Sequence, residues 1–158
     1  MVNRYHILKN CSIMYRLFQM YYAEQFEPYG FGAGSHYFLC EIGKRPGVTM
    51  AELAEIGAYD SGTVTRAVHR LQSNGYVIMN SDERDRRVKR LYLTEKGAQM
   101  ADTVRQTRCK LFRQVTSGLT QDEVQQAEAL LERMAQNTRA AVTRGQTADQ
   151  PCKTQEDT

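Results

Sequence analysis

The chain lacks the marks of a membrane, secreted or metal-binding protein. Its 158 residues hold no run of roughly 18 apolar side chains, so we expect no membrane span and no membrane partner. The N-terminus has no apolar signal core or cleavage site, so we expect a cytoplasmic protein. The three His and four Cys form no His-x-x-x-His or Cys-x-x-Cys pair, which predicts free thiols and no metal site.

Catalytic motifs are absent as well. There is no nucleophile elbow, no phosphate-binding loop and no metalloprotease helix. A thiol enzyme could combine Cys11 or Cys40 with His36, but nothing in the pattern places a base and an orienting acid around either sulfur. We therefore predict neither an enzyme nor a bound cofactor.

The segment from residue 49 to residue 93 is rich in basic residues. The formal net charge of +3 is modest, so the location of the basic residues matters more than their number. Residues 49–93 hold a dense set of them, whereas the acidic residues of 122–132 fall on another predicted helix. The basic residues are Arg66, Arg70, Arg84, Arg86, Arg87, Lys89 and Arg90.

The same segment has the pattern of a helix-turn-helix followed by a hairpin. Thr49 to Glu52 reads as a capping box for a short helix, which we expect to end at Gly57 in a left-handed conformation. Asp60 caps a second helix through about Asn74. Two strand-like runs, 76–81 and 88–93, flank a charged tip. This order is typical of winged helices, which place one helix in the DNA major groove and the wing on the backbone or in the minor groove.

The flanking segments read as long helices with apolar stripes. The spacing predicts helices over Arg4–Phe26, from an N-cap at Ser35 to about Ile42, from Thr94 to about Thr116, and after a capping box at Thr120. These stripes exceed what the small core can cover, so we expect a two-fold homodimer through the terminal helices. The predicted fold is mainly α with a small β-hairpin wing. Its expected parts are an N-terminal dimerisation helix and loop (1–34), a winged helix-turn-helix domain (35–93), C-terminal dimerisation helices (94–144) and a disordered tail (145–158).

Two groups of side chains are the candidates for reading DNA. The polar face of the second helix would bond bases or phosphates, and the wing would supply guanidinium groups to a minor groove, with carboxylates bracing them. The alternatives are an ordinary solvated helix face, with Arg66 in an internal ion pair, and a solvated hairpin of mixed charge. The helix candidates are Ser61, Thr63, Thr65, Arg66, His69 and Arg70; the wing candidates are Arg84, Arg86 and Arg87, with Asp82 and Asp85 as braces.

These motifs together resemble the MarR family of bacterial transcriptional regulators. The segments that carry the resemblance are Asp60–Arg66, Gly75–Val77, the wing Asp82–Arg87 and Leu93–Gly97. The resemblance implies a winged-helix homodimer on a near-palindromic operator, usually a repressor, released by a small molecule or by cysteine oxidation. It also implies that Arg87 is the minor-groove arginine of the wing tip.

The resemblance suggests where an effector would bind. Small phenolic or aromatic acids would lie where the dimerisation helices meet the DNA-binding domain, and the alternative is plain helix packing. Cys11 is a redox candidate, although it aligns poorly with the family's peroxide-sensing cysteine. A winged helix that docks on an acidic protein is a further alternative. The candidate effector residues are Tyr15, Phe18, Tyr22, His36, Tyr37 and Cys40.

Overall fold

The computed structural model describes residues 4–32 and 34–143, arranged in two compact units that divide after Phe112. The predicted disordered tail, 145–158, and with it Cys152, lies outside the described residues. Within the described part, every helix is too short or too polar to cross a bilayer.

Six helices and three short strands make up the described chain, and they confirm the predicted fold class. The helix α1 has the predicted bounds, and the predicted caps at Thr94 and Thr120 hold their helices. The elements in chain order are α1 (Arg4–Phe26), a 3₁₀ turn (Glu27–Tyr29), α2 (Ser35–Lys44), β1 (Val48–Thr49), α3 (Met50–Gly57), α4 (Ser61–Ser73), β2 (Val77–Ser81), β3 (Lys89–Leu93), α5 (Glu95–Val115) and α6 (Gln121–Thr143).

The strands form one antiparallel sheet in the order β1-β3-β2. The predicted hairpin is β2 and β3, in which Val77 lies opposite Leu93 and Ser81 opposite Lys89. The strand β1 was missed because two residues carry no readable alternation. It pairs with β3 through Val48 opposite Leu91 and so gives the wing a third strand.

The start of α2 differs from the prediction. Gly34 is the N-cap residue, with a φ of 75°, and Ser35 is the first helical residue. The Ser35 hydroxyl still stabilises the turn before the helix, because it accepts a hydrogen bond from the Gly32 N–H at 3.2 Å. The predicted cap at Ser35 is therefore wrong, because its hydroxyl bonds the preceding loop and not the first turn of the helix.

The end of α3 also differs. Gly57 stays helical, and Ala58 takes the left-handed conformation with a φ of 53°. The glycine is needed for close packing instead of backbone freedom: a Cβ at Gly57 would come within 2.5 Å of the Tyr59 ring and 3.0 Å of the Tyr37 ring. Two aromatic side chains therefore close over the end of the helix.

The core of the first unit lies between α2, α3, α4 and the sheet, and receives one end of α1 and α5. The apolar side of α4 is fully inside, with Val64, Val68 and Leu71 all 0% exposed. Because this side is buried, the opposite polar face of α4 must be directed outward. The other buried apolar residues are Phe26, Phe38, Leu39, Ile42, Val48, Leu53, Ala67, Tyr76, Val77, Leu91, Met100 and Val104.

The first turn of α5 is held tightly against the start of β2. Thr94 donates its hydroxyl to the Gly75 carbonyl at 2.7 Å and its N–H to the Tyr76 carbonyl at 3.0 Å. A Cβ at Gly97 would overlap the Tyr76 carbonyl oxygen. Since that oxygen is backbone, it cannot move without shifting the strand that leads into the wing.

We expect Gly97→Ala to destabilise the protein by about 1–3 kcal/mol, because overpacking outweighs the gain in helix propensity. Urea unfolding at fixed protein concentration measures the loss. Gly43→Ala is the matched helical control, because its Cβ would meet only the movable end of the Leu93 side chain, at 3.0 Å. Equal stability of the two variants would contradict the packing argument.

Candidate nucleic-acid interface

The first turn of α4 is organised by Asp60. Its carboxylate accepts hydrogen bonds from the Thr63 N–H at 2.8 Å and from the Thr63 hydroxyl at 2.6 Å. These bonds from Thr63, aided by the charge of Arg66, lower the pKa of Asp60. Arg66 in turn donates to the Thr63 hydroxyl oxygen at 3.1 Å. The result is an ordered, outward-facing guanidinium at the start of the helix.

The other predicted residues of the α4 face fall into two groups. Ser61 and His69 are exposed and face solvent in the single chain. Thr65 is half-buried, and its hydroxyl donates to the Ser61 carbonyl at 2.7 Å. The hydrogen bond of Arg66 goes to the Thr63 hydroxyl and not to a carboxylate, which does not favour the internal salt bridge that was the alternative for it.

Arg70 is exposed but turned back toward its own domain. Its guanidinium lies on the backbone of Gly32, where a Cβ would come within 2.5 Å of Nη1 and 3.0 Å of Cζ. Arg70 therefore contacts the loop before α2, whereas Arg66, one turn earlier on the same helix, contacts Thr63 of its own helix.

The tip of the wing is shaped by two carboxylates that accept backbone N–H groups. Asp82 accepts from Arg84 at 2.8 Å and from Asp85 at 3.2 Å, and Asp85 accepts from Arg87 at 2.9 Å. Such side-chain turns replace the hydrogen bonds that the open tip lacks. The side chains of Arg84, Arg86 and Arg87 remain exposed.

The side chain paired with Asp82 is Arg90 of β3. Arg90 donates Nε to the Asp82 carboxylate and Nη1 to the Gly47 carbonyl at 3.0 Å. This bond from Arg90, followed by those from Arg84 and Asp85, lowers the pKa of Asp82. Asp82 thus braces the base of the wing, and Asp85 shapes the backbone at Arg87. Arg90 was counted among the basic residues, but its role was missed because it depends on β1.

A second cluster joins α1, α2 and α5. The rings of Tyr22 and His36 lie 4.2 Å apart, and Phe26 stacks on both. Burial, with the nearby positive charge of Arg108, lowers the pKa of His36 to about 4, so the imidazole is neutral. Burial raises the pKa of Tyr22 and of Cys40, although the charge of Arg108 and hydrogen bonding to it oppose that shift. Arg108 was missed because helical spacing alone does not show which element faces α1.

A cavity of about 500 Å³ opens beside this cluster, between α1 and the loop before α2. Of the six predicted effector residues, only Tyr22 and His36 line it. Its other lining residues are Gln19, Met20, Ala23, Glu24, Phe26, Glu27, Phe31, Gly32 and Gly34.

The remaining candidates lie apart from the cavity lining. Tyr37 packs on Tyr59 at 5.6 Å between ring centroids, and Tyr15 is 57% exposed. Phe18 is half-buried, and Cys11 is an exposed free thiol. Cys40, half-buried, faces Arg108 instead. The six predicted effector residues therefore do not line one common pocket: Tyr22, His36 and Cys40 lie near Arg108, and the other three lie elsewhere.

Comparison with known proteins identifies the family. A model described as the MarR family matches residues 29–88. A MarR transcriptional regulator from Methanosarcina mazei is 31% identical in sequence; the match covers 87% of this chain and 99% of that one, with a TM-score of 0.81. The chain belongs to the MarR family. This confirms the resemblance seen in the sequence.

Two further relatives agree with the assignment. YybA of Bacillus subtilis, described as an uncharacterized HTH-type transcriptional regulator, is 28% identical over 83% of this chain and 87% of its own. A MarR family regulator from Listeria monocytogenes, solved with 26mer DNA, shares the fold at 22% identity and a TM-score of 0.83, over 92% of this chain and 97% of that one. Membership of a family of transcriptional regulators also bears out the prediction that the chain is not an enzyme.

We expect Asp82→Ala to loosen the wing while leaving the core folded, because it removes two turn-forming hydrogen bonds and the partner of Arg90. Limited trypsin digestion reads this directly, since the tip carries three arginines. Cleavage within residues 84–87 should become several-fold faster, with little change in the unfolding midpoint. Glu83→Ala, next in sequence and exposed, is the control and should cleave at the wild-type rate.

Proposed function

We propose that this MarR family transcriptional regulator is a homodimeric repressor that reads a near-palindromic operator and releases it when a small aromatic acid binds. The observation that carries the DNA-binding part is the pairing of two outward features. These are an ordered α4 start bearing Arg66 and a preshaped wing whose tip arginines are exposed. The Listeria relative solved with DNA supports the same use of the fold.

The two features suit different parts of a duplex. A helix such as α4 fits the major groove, and side chains near its N-terminus, Ser61, Thr63 and Arg66, come closest to the base edges. The wing offers Arg84, Arg86 and Arg87 to the phosphates or to a narrow minor groove, where arginine is favoured electrostatically. His69, exposed on the same face of α4, extends the contact toward the backbone.

The exposed apolar side chains support a homodimer. On α1 of the first unit, Tyr5, Leu8 and Met20 are each more than two-thirds exposed in the single chain. In the second unit, α6 is amphipathic but has no fully buried residue among its described side chains, and Leu130 and Leu131 are about half exposed. Such stripes need a covering surface, and a second copy of the chain supplies one on each helix. A dimer would present two α4 helices roughly 34 Å apart, one DNA turn.

The cluster around Arg108 supports an anionic effector. The Arg108 guanidinium lies near the neutral imidazole of His36, the phenol of Tyr22 and the thiol of Cys40. Among the described residues, its charge is not matched by a carboxylate in an ion pair. The carboxylate of an aromatic acid could pair with Arg108 while its ring packs on Tyr22 and His36. Such a ligand weakens operator binding only through a lower affinity for the DNA-bound form.

Two other modes of regulation are separable by experiment. Cys11 and Cys109 are exposed thiols, so peroxide treatment tests the redox alternative directly. If the wing instead docks on another protein, a gel shift should show no binding to any DNA duplex. We place the protein in the cytoplasm, where an operator would be available to it.

We expect Arg87→Ala to weaken operator binding by roughly tenfold or more while the dimer stays intact. A gel shift with the DNA upstream of the protein's own gene measures affinity, and light scattering measures the oligomer. The slope of log affinity against log salt should fall by about 1, because one phosphate or groove cation is lost. The control is Arg105→Ala, an exposed arginine on α5 that forms an ion pair with Asp102 at 3.0 Å. Wild-type affinity in Arg87→Ala would contradict the role of the wing.

We expect 2-hydroxybenzoate to raise the melting temperature of the wild-type protein, and this shift to be lost in Arg108→Gln. The shift should be nearly constant between about pH 6 and 8, because His36 stays neutral over that range. Arg105→Gln, one turn away on α5, should respond like the wild type. A full shift in Arg108→Gln would exclude Arg108 as the carboxylate partner.

A further inference from the structure

We propose that residues 29–32 form a positioning loop that fixes the orientation of α4, with Arg70 acting on this loop instead of on DNA, and that the loop links the cavity to α4. This inference rests on the proposed DNA-binding function, and it changes the role of Arg70 from a DNA contact to a contact with the loop. It is supported by three contacts between the loop and the C-terminal half of α4 or the residues just after it.

The first contact is the guanidinium of Arg70 against Gly32. The approach is so close that any side chain at Gly32 would displace it, as the 2.5 Å distance from a Cβ to Nη1 shows. A guanidinium presents several N–H donors on a rigid planar fork, which the ammonium group of lysine lacks, so lysine is not expected to reproduce this contact. The charge of Arg70 is thereby held at the loop, away from the start of α4.

The second contact is made by Asn74, the C-cap residue of α4. Its side-chain amide donates to the Arg70 carbonyl at 2.8 Å and to the Gly30 carbonyl at 3.3 Å. One amide group therefore joins the last turn of the helix to the loop. Gly30 has a φ of 74°, and a Cβ there would come within 2.9 Å of the Asn74 side chain.

The third contact is made by Tyr76, where the chain enters β2. Its hydroxyl donates to the Tyr29 carbonyl at 3.2 Å, and the Phe31 ring meets its ring edge-on at 5.3 Å. Helix end, cap and strand start are thus all attached to the same four residues.

The other side of the loop borders the cavity. Phe31 and Gly32 line it together with Tyr22 and His36, and the Phe31 ring lies 5.6 Å from that of Phe26. Anything that changes the volume available beside Phe31 must therefore change the surface on which Arg70 and Tyr76 rest. The coupling is reciprocal, so operator binding to α4 must in turn be felt at Phe31.

The first experiment separates positioning from phosphate contact. Operator affinity is measured on the active fraction at several salt concentrations for Arg70→Lys, Arg70→Gln and Arg66→Gln. We expect both Arg70 variants to lose roughly three- to thirty-fold in affinity with an unchanged salt slope. Arg66→Gln, one turn earlier on α4, should lower the slope by about 0.9. Wild-type affinity in Arg70→Lys, or a reduced slope in Arg70→Gln, would make Arg70 an ordinary DNA contact and overturn the proposal.

Gly32→Ala tests the same contact from the loop side. The added methyl group displaces the Arg70 guanidinium without altering any side chain of α4, and the end of an arginine moves at little cost to folding. We expect a loss of affinity similar to that of Arg70→Lys, again with an unchanged slope. Unchanged binding would show that the contact between Arg70 and Gly32 does not matter, and tighter binding would show that the released guanidinium contacts DNA; either result would overturn the proposal.

The second experiment reads the loop itself. The chain contains no tryptophan, so Phe31→Trp provides a single emission probe. Its spectrum should shift when operator DNA saturates the protein, and adding Asn74→Ala should abolish most of that shift. A spectrum unmoved by saturating operator would overturn the link. If the wild-type protein binds no operator at all, the proposed function itself fails; if it binds and only these variants disagree, the positioning loop alone is wrong.

Discussion

The burial of one side of α4 is the constraint on which the remaining surface depends. Val64, Val68 and Leu71 are withdrawn fully from water, and each contributes roughly 1.5–3 kcal/mol relative to exposure. That burial leaves the helix a single allowed rotation about its axis. Arg66 and His69 are consequently directed outward. Leu91, also fully buried, holds the middle of the hairpin to the same core, so the outward face of the helix and the wing are set by one packing unit.

Elements with strong local signals could be predicted from the sequence, and elements that depend on distant partners could not. The bounds of α1, the capping box of Thr49 and Glu52, and the Asp60 cap follow from periodicity and side-chain chemistry within a few residues. The end of α3 could not be predicted in this way, because the space at Gly57 is filled by the rings of Tyr37 and Tyr59. No rule about glycine at helix ends contains that information.

The candidate interface shows the same limit. The wing arginines are exposed, as expected for the charged tip of a hairpin, and their role in DNA binding stays a prediction. The sequence pattern treated Arg66 and Arg70 alike, because both lie on the polar face of one helix. Only the tertiary contact with Gly32 separates them. Arg108 was overlooked for the related reason that its neighbours come from two helices far away in the chain.

The low pKa of His36 has a consequence for what the protein can distinguish. A weak acid that crosses a membrane as the neutral molecule delivers a proton and an anion together to the cell interior. A histidine with an ordinary pKa would respond to the proton as well as to the anion, because mild acidification would charge it. Because the pKa of His36 is about 4, mild acidification leaves its imidazole uncharged. Under the proposed function, Arg108 is then the group of this cluster that would pair with the anion.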